Sequence, residues 1–179
     1  MPQLVVFSGL PGAGKSALAE AVGTALGIPV FAKDWLESVL LRHGIDHGLD
    51  PAGQPLPLGY VGYDLLTTLA ARQLQLGQSV ILDSVASTET IRTAWRDLAR
   101  QYAVHWRVIE CICADESLHR SRLGSRQRRI PNWPELTWAD VERVKSYYAA
   151  WTEDHLIIDS VHPFETNLQI VLDYLTNIT

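Results

Sequence analysis

The chain has 179 residues, 47% of them apolar and 20% charged, with a formal net charge of -5. This is the composition of a folded domain and sets aside the disordered class. The acidic balance disfavours nucleic acid as a partner, no apolar run reaches the roughly 18 to 20 residues that cross a bilayer, and Met1–Phe7 lacks the basic region of a signal peptide. The only cysteines, Cys111 and Cys113, are spaced i, i+2 in an apolar run, which is poor disulfide geometry. They are expected to be free thiols in a reducing, cytoplasmic compartment.

Leu4–Phe7 is a continuous apolar run ended by Ser8-Gly9 and reads as a buried strand. From Lys15, Leu18, Val22, Ala25 and Leu26 recur at helical spacing until Gly27. Ile28–Phe31 predicts a second strand, and Asp34–His43 a helix. Gly44–Leu58, rich in glycine and proline without an apolar period, is expected to be a long loop of the kind that often serves binding. Tyr60–Leu76 predicts a helix, Ser79–Leu82 a third strand closed by Asp83-Ser84, Thr88–Gln101 a helix and Val104–Cys113 a strand.

Asp115–Arg129 is expected to be helical and arginine-dense, and Pro131 and Pro134 interrupt the chain. Thr137–Trp151 predicts a helix with Thr137 and Asp140 spaced as a capping box. Leu156–Ile158 and Phe164–Asn177 close the chain as strand and helix. Alternating helices and wholly apolar strands predict an α/β domain with a parallel sheet covered on both faces.

Gly9-Leu10-Pro11-Gly12-Ala13-Gly14-Lys15-Ser16 fits G-x-x-x-x-G-K-[ST], between a strand and a helix as that motif requires. Backbone N–H groups at such a loop and helix N-terminus cradle phosphates. The expected ligand is ATP with Mg²⁺, held by Gly9, Pro11, Gly12, Ala13, Gly14, Lys15, Ser16 and Ala17. Lys15 would reach the β- and γ-phosphates, and Ser16 the metal. Val80-Ile81-Leu82-Asp83 is an apolar strand ending in a carboxylate, which makes Asp83 a second candidate metal residue; a helix N-cap is its alternative role. Arg120, Arg122, Arg126, Arg128 and Arg129 crowd into ten residues, a concentration of like charge that anions relieve. Arg122, Arg126 and Arg129 would share one helical face. Arg122 and Arg126 are the expected phosphate contacts, with Arg126 or Arg129 as candidates to stack on adenine.

Phe7–Ser16, Lys33-Asp34, Val80–Asp83, Arg120–Arg129 and His155–Asp159, in that order, resemble the small P-loop kinases with AAA-type ATP-binding domains. The branch resembled groups polynucleotide 5′-hydroxyl kinases, chloramphenicol phosphotransferase, gluconate-kinase-like enzymes and zeta-toxin-like kinases. The resemblance implies a single P-loop NTPase domain over residues 1–179. Its five-stranded parallel sheet, in order 2-3-1-4-5, would be flanked by helices, with an arginine-rich lid at about 118–134. It implies transfer of the γ-phosphoryl group of ATP to a hydroxyl of a small molecule, with Lys15, Asp34, Arg122 and Arg126 as catalytic residues. Asp34 would orient and deprotonate the acceptor, although it also stands where a helix N-cap would, with Glu37 three residues on. Glu37 departs from the polynucleotide kinases, which usually carry arginine there. An ATP-driven switch without a small acceptor, or a nucleic-acid end kinase, are the alternatives. Tyr60 and Tyr63 are candidates to line the acceptor site, His119 is a candidate phosphate contact, and Trp133, Trp138 and Trp151 read as packing residues.

Overall fold

The computed structural model describes residues 1–177. Five strands form the main sheet: β1 (Gln3–Ser8), β2 (Val30–Ala32), β5 (Val80–Asp83), β6 (His105–Ile112) and β7 (Leu156–Asp159). All neighbours pair parallel, in the order β2-β5-β1-β6-β7, which is the 2-3-1-4-5 order implied by the resemblance when these strands are counted alone. Alternate residues of β1 serve opposite faces. Val5 and Phe7 pack with Leu18 and Val22 of α1 (Lys15–Leu26) and Val171 and Leu175 of α7 (Phe164–Thr176). Leu4 and Val6 pack with Leu66 and Leu74 of α3 (Leu58–Gln75) and Trp95 of α4 (Glu89–Gln101). Two cores on one strand are why β1 reads as an unbroken apolar run rather than an alternating one.

Three expectations are corrected. Residues 44–58 are not all loop: β3 (His47–Leu49) and β4 (Pro55–Pro57) form an antiparallel hairpin, and α3 begins at Leu58 rather than Tyr60. Asp50 closes the turn, its Oδ1 accepting from Ala52 N at 2.9 Å and Gln54 N at 2.8 Å. Strands of three residues are too short to carry a visible period. The arginine helix α5 (Glu116–Ser125) stops before Arg126, whose backbone is extended at φ -76° and ψ 136°. Beyond Leu123 no apolar stripe anchors further turns, so the crowded cations leave the helix. Helix α6 (Trp138–Lys145) ends six residues before Trp151, the expected last residue, because residues 149–151 pack elsewhere: Ala149 N donates to Ser87 O at 2.9 Å. The expected reciprocal contact at its start is present, Asp140 Oδ2 accepting from Thr137 N at 2.9 Å. Helix α2 (Lys33–Arg42) completes the set. No helix of the described residues is long and apolar enough to cross a membrane.

Candidate functional site

The carboxyl ends of parallel strands are where ligands bind in such sheets, and here they present Ser8, Ala32, Asp83, Ile112 and Asp159 along one edge. Between β1 and α1 the chain turns sharply. Gly9 takes φ +129°, and a Cβ on it would lie 2.0 Å from Cys111 O on β6, so only glycine fits. Gly14 at φ +93° opens α1. Lys15 is buried, its Nζ donating to Leu10 O at 2.9 Å. Burial pulls the Lys15 pKa down, and the charge of Asp83 opposes this. The loop is braced from α5: His119, also buried, lies with Nε2 2.8 Å from Pro11 O. A carbonyl can only accept, so Nε2 carries the proton. In this structure His119 therefore holds the loop's backbone.

Lys15, Ser16, Asp34, Asp83, Arg126 and Arg128 line one small cavity of about 60 Å³. Asp83 is buried, and that burial raises its pKa, with Lys15 and the Ser16 hydroxyl pulling the other way. The buried cation and carboxylate thus each offset part of the other's desolvation. The carboxylate of Asp34 is ion-paired with the guanidinium of Arg128. Neither aspartate caps a helix: the N-cap of α2 is Ala32 and that of α4 is Thr88. Glu37 pairs with Lys33 instead of reaching back to a helix start. It is 2% exposed and seated on Gly62, where a Cβ would lie 2.3 Å from its Oε1. Glu37 therefore locks α2 to α3 and is turned away from the cavity. Tyr63 packs there too, under Lys33 Nζ at 4.9 Å and edge-on to Trp95, while Tyr60 is largely exposed. Neither tyrosine lines this cavity.

A second cavity of about 250 Å³ lies on the other flank of the loop. Gly14, Ala17, Arg122, Ser160 and Asn167 are among its walls. Arg122 donates to Ser160 O at 2.7 Å, just past β7. The arginine segment is therefore divided: Arg122 faces the second cavity, Arg126 and Arg128 the first, and Gly12 touches both. The expected shared helical face of Arg122, Arg126 and Arg129 is corrected, because only Arg122 is in α5. Arg129, with φ +55°, lines neither cavity.

The structure brings together the expected residues Lys15, Ser16, Asp34, Asp83 and Arg126. It adds Arg128, which sequence reasoning left undistinguished in its run, and Asn167 and Ser160, which carry no sequence signal beyond their place after β7. Arg92 was also missed. It is fully buried and donates to Ala86 O at 2.8 Å, Ala149 O at 2.7 Å and Ala150 O at 3.0 Å. Its guanidinium stacks on Trp151 with the ring centroid 3.8 Å away. Trp151 in turn donates from Nε1 to Ser8 Oγ at 3.2 Å, directly before the loop.

Residues 4–150 match the AAA domain family, and the chain belongs to it. Among solved structures, it is similar to a provisionally assigned kinase from Chloroflexus aurantiacus J-10-fl, with 22% identity over 99% of this chain and 98% of that one, at a TM-score of 0.72. A sugar kinase from Janibacter sp. HTCC2649 follows at 17% identity, 98% and 95% coverage and a TM-score of 0.69. The Mycobacterium tuberculosis APS kinase CysC, solved with AMPPNP and APS, gives 20% identity, 97% coverage of each chain and a TM-score of 0.61. At such identities these likenesses establish the P-loop α/β fold. No curated protein matches the sequence.

Proposed function

We propose that this protein is an ATP-dependent kinase that transfers the γ-phosphoryl group to a hydroxyl of a small molecule. The observation that carries the reading is Asp34: a carboxylate from a different strand end shares one cavity with Lys15, Ser16, Arg126 and Arg128. Binding a nucleotide needs the loop and its lysine; a second carboxylate beside two arginines supplies what an attacking hydroxyl requires. The acidic net charge and the inward-locked Glu37 support a small acceptor over a nucleic acid end.

In this reading the triphosphate lies along the loop, with its γ-end in the first cavity and its base towards the second. Lys15 neutralises phosphate charge. The oxygen donors of Ser16 and Asp83 suit Mg²⁺, which when bound would offset further phosphate charge. Among the described residues no three His, Cys, Asp or Glu side chains cluster as a metal site, in keeping with an ion held largely by phosphate and water. The acceptor hydroxyl takes the place of Arg128 at Asp34 and gives its proton to that carboxylate as its oxygen bonds to the γ-phosphorus. The bond from that phosphorus to the β-phosphate oxygen breaks, and ADP leaves. During this exchange Arg126, and Arg128 once released from Asp34, hold the transferring group in bidentate fashion. Residues 118–134 act as the lid, and its closure excludes water as a competing acceptor.

Asp34→Asn tests the role. ATP affinity should stay within a few-fold of wild type while acceptor-dependent ADP release falls by about 10² to 10⁴. Undiminished transfer would remove Asp34 as the base.

A further inference from the structure

We propose that Tyr148, anchored by Glu110 and His155, is a positioning residue for the phosphate loop: through Ser8 it holds the loop's root against a wall of the first cavity. This rests on the nucleotide reading above. Ser8 is fully buried, ends β1 and directly precedes Gly9. Its Oγ donates to Val85 O at 2.8 Å, and Gly9 N reaches the same oxygen at 3.5 Å. Val85 lines the first cavity beside Asp83 and Ser84. One carbonyl therefore joins the start of the phosphate loop to the segment that follows Asp83.

Behind Ser8 lies a polar chain that the transfer reaction does not use. Tyr148 Oη is 3.0 Å from Ser8 Oγ and 2.7 Å from Glu110 Oε1, and Trp151 Nε1 is 3.2 Å from both hydroxyl oxygens. Glu110 Oε2 lies 3.2 Å from His155 Nε2, and His155 Nδ1 lies 2.7 Å from Glu153 O. Counting hydrogens fixes the directions. Ser8 gives its one hydrogen to Val85 O. Burial raises the Tyr148 pKa, so the phenol keeps its hydrogen and gives it to Glu110 Oε1. Neither hydroxyl has a hydrogen left for the other, and the Trp151 N–H, equidistant from the two oxygens, is the donor they share. Glu153 O only accepts, so His155 Nδ1 is protonated. A bare ring nitrogen facing a carboxylate would repel it, so Nε2 and Glu110 Oε2 hold one further hydrogen between them. Every hydrogen in the chain thus has an acceptor, and a fully satisfied buried network is rigid.

Calorimetric titration of the whole protein with Mg-ATP tests this. Tyr148→Phe removes the hydroxyl and keeps the ring, over which Arg92 sits at 5.2 Å. It should weaken binding about tenfold, the scale of one buried hydrogen bond. Ser8→Ala cuts the same path at the loop and should lose at least as much. The double variant should lose no more than Ser8→Ala alone, because the two side chains act through one contact. Glu110→Leu should match Tyr148→Phe. Glu110→Gln should restore binding to within about twofold of wild type, since its amide accepts from Tyr148 and donates to a neutral His155. A purely structural role would lower the urea midpoints and leave the Kd of the folded variants unchanged. Wild-type affinity in Tyr148→Phe or in Ser8→Ala overturns the proposal. So does an additive loss in the double variant, or a Glu110→Gln protein as weak as Glu110→Leu. If Tyr148→Phe does not fold, Ser8→Ala and the two Glu110 variants decide. If wild type does not bind Mg-ATP, the nucleotide reading itself falls, and this proposal with it.

Discussion

Cys111 and Arg128 illustrate how burial decides what a side chain can do. Burial pushes the Cys111 thiol up to about 12, and Cys113, just beyond β6, is only half-buried. The thiolate is the reactive form, so iodoacetamide at pH 8 should label Cys113 and leave Cys111 untouched in the folded protein, as read by mass spectrometry of the digest. Labelling of Cys111 at a comparable rate would mean that β6 opens. Arg128 is held in the cavity by Asp34, and the proposed transfer gives its guanidinium a role on the transferring group. Arg128→Ala should lower acceptor-dependent turnover by about 10³-fold or more, on the scale of other phosphoryl-transfer arginines. ATP affinity measured by calorimetry should change far less. A variant with normal turnover would reduce Arg128 to a resting partner of Asp34.

Between elements, the most demanding packing lies where the sequence was hardest to read. Ala86 sits at φ +48° in the loop after β5, a conformation that costs a non-glycine residue about 1 kcal/mol or more. Arg92 holds its carbonyl and clamps Ala149 and Ala150 from the far side of α6. Arg92→Met leaves three carbonyls without their donor and should destabilise the fold by about 3 kcal/mol or more in urea unfolding. A loss below about 1 kcal/mol would show that water replaces the clamp. Gly62→Ala should cost about 1 to 3 kcal/mol by forcing Glu37 off α3. The phosphate loop, the strand-end carboxylates and the α/β alternation were legible because local patterns encode them: a glycine-lysine string, apolar runs, and helical periods. Arg92, the hairpin at residues 47–57 and the end of α5 were not. Arg92 reads as one more exposed helix cation until α4 is docked, and Arg126 reads as helical until Leu123 proves to be the last buried residue of α5. Asn167 is silent for the same reason, since only folding sets its amide against Asp159.

Across the whole molecule, the sheet edge gathers buried charges of opposite sign that only partly offset each other's desolvation. Lys15 and Asp83 are both buried and both pushed towards their neutral forms. Phosphates and a divalent cation would give each an opposite charge, so binding should stabilise the native state. By linkage, Mg-ATP at a hundred times its Kd adds about 2.7 kcal/mol. Thermal unfolding should shift upward accordingly in wild type and not in Lys15→Ala. The central claim, that this arrangement transfers phosphate rather than merely binding it, is tested most directly by ADP release. Purified protein would be given Mg-ATP alone and then with pools of small hydroxyl compounds, with Lys15→Ala and Asp34→Asn alongside. The account predicts slow release with ATP alone, strong stimulation by at least one pool, and loss of that stimulation in both variants. Stimulation that survives Asp34→Asn, or ATP turnover that depends on Lys15 and that no hydroxyl compound accelerates, would contradict it.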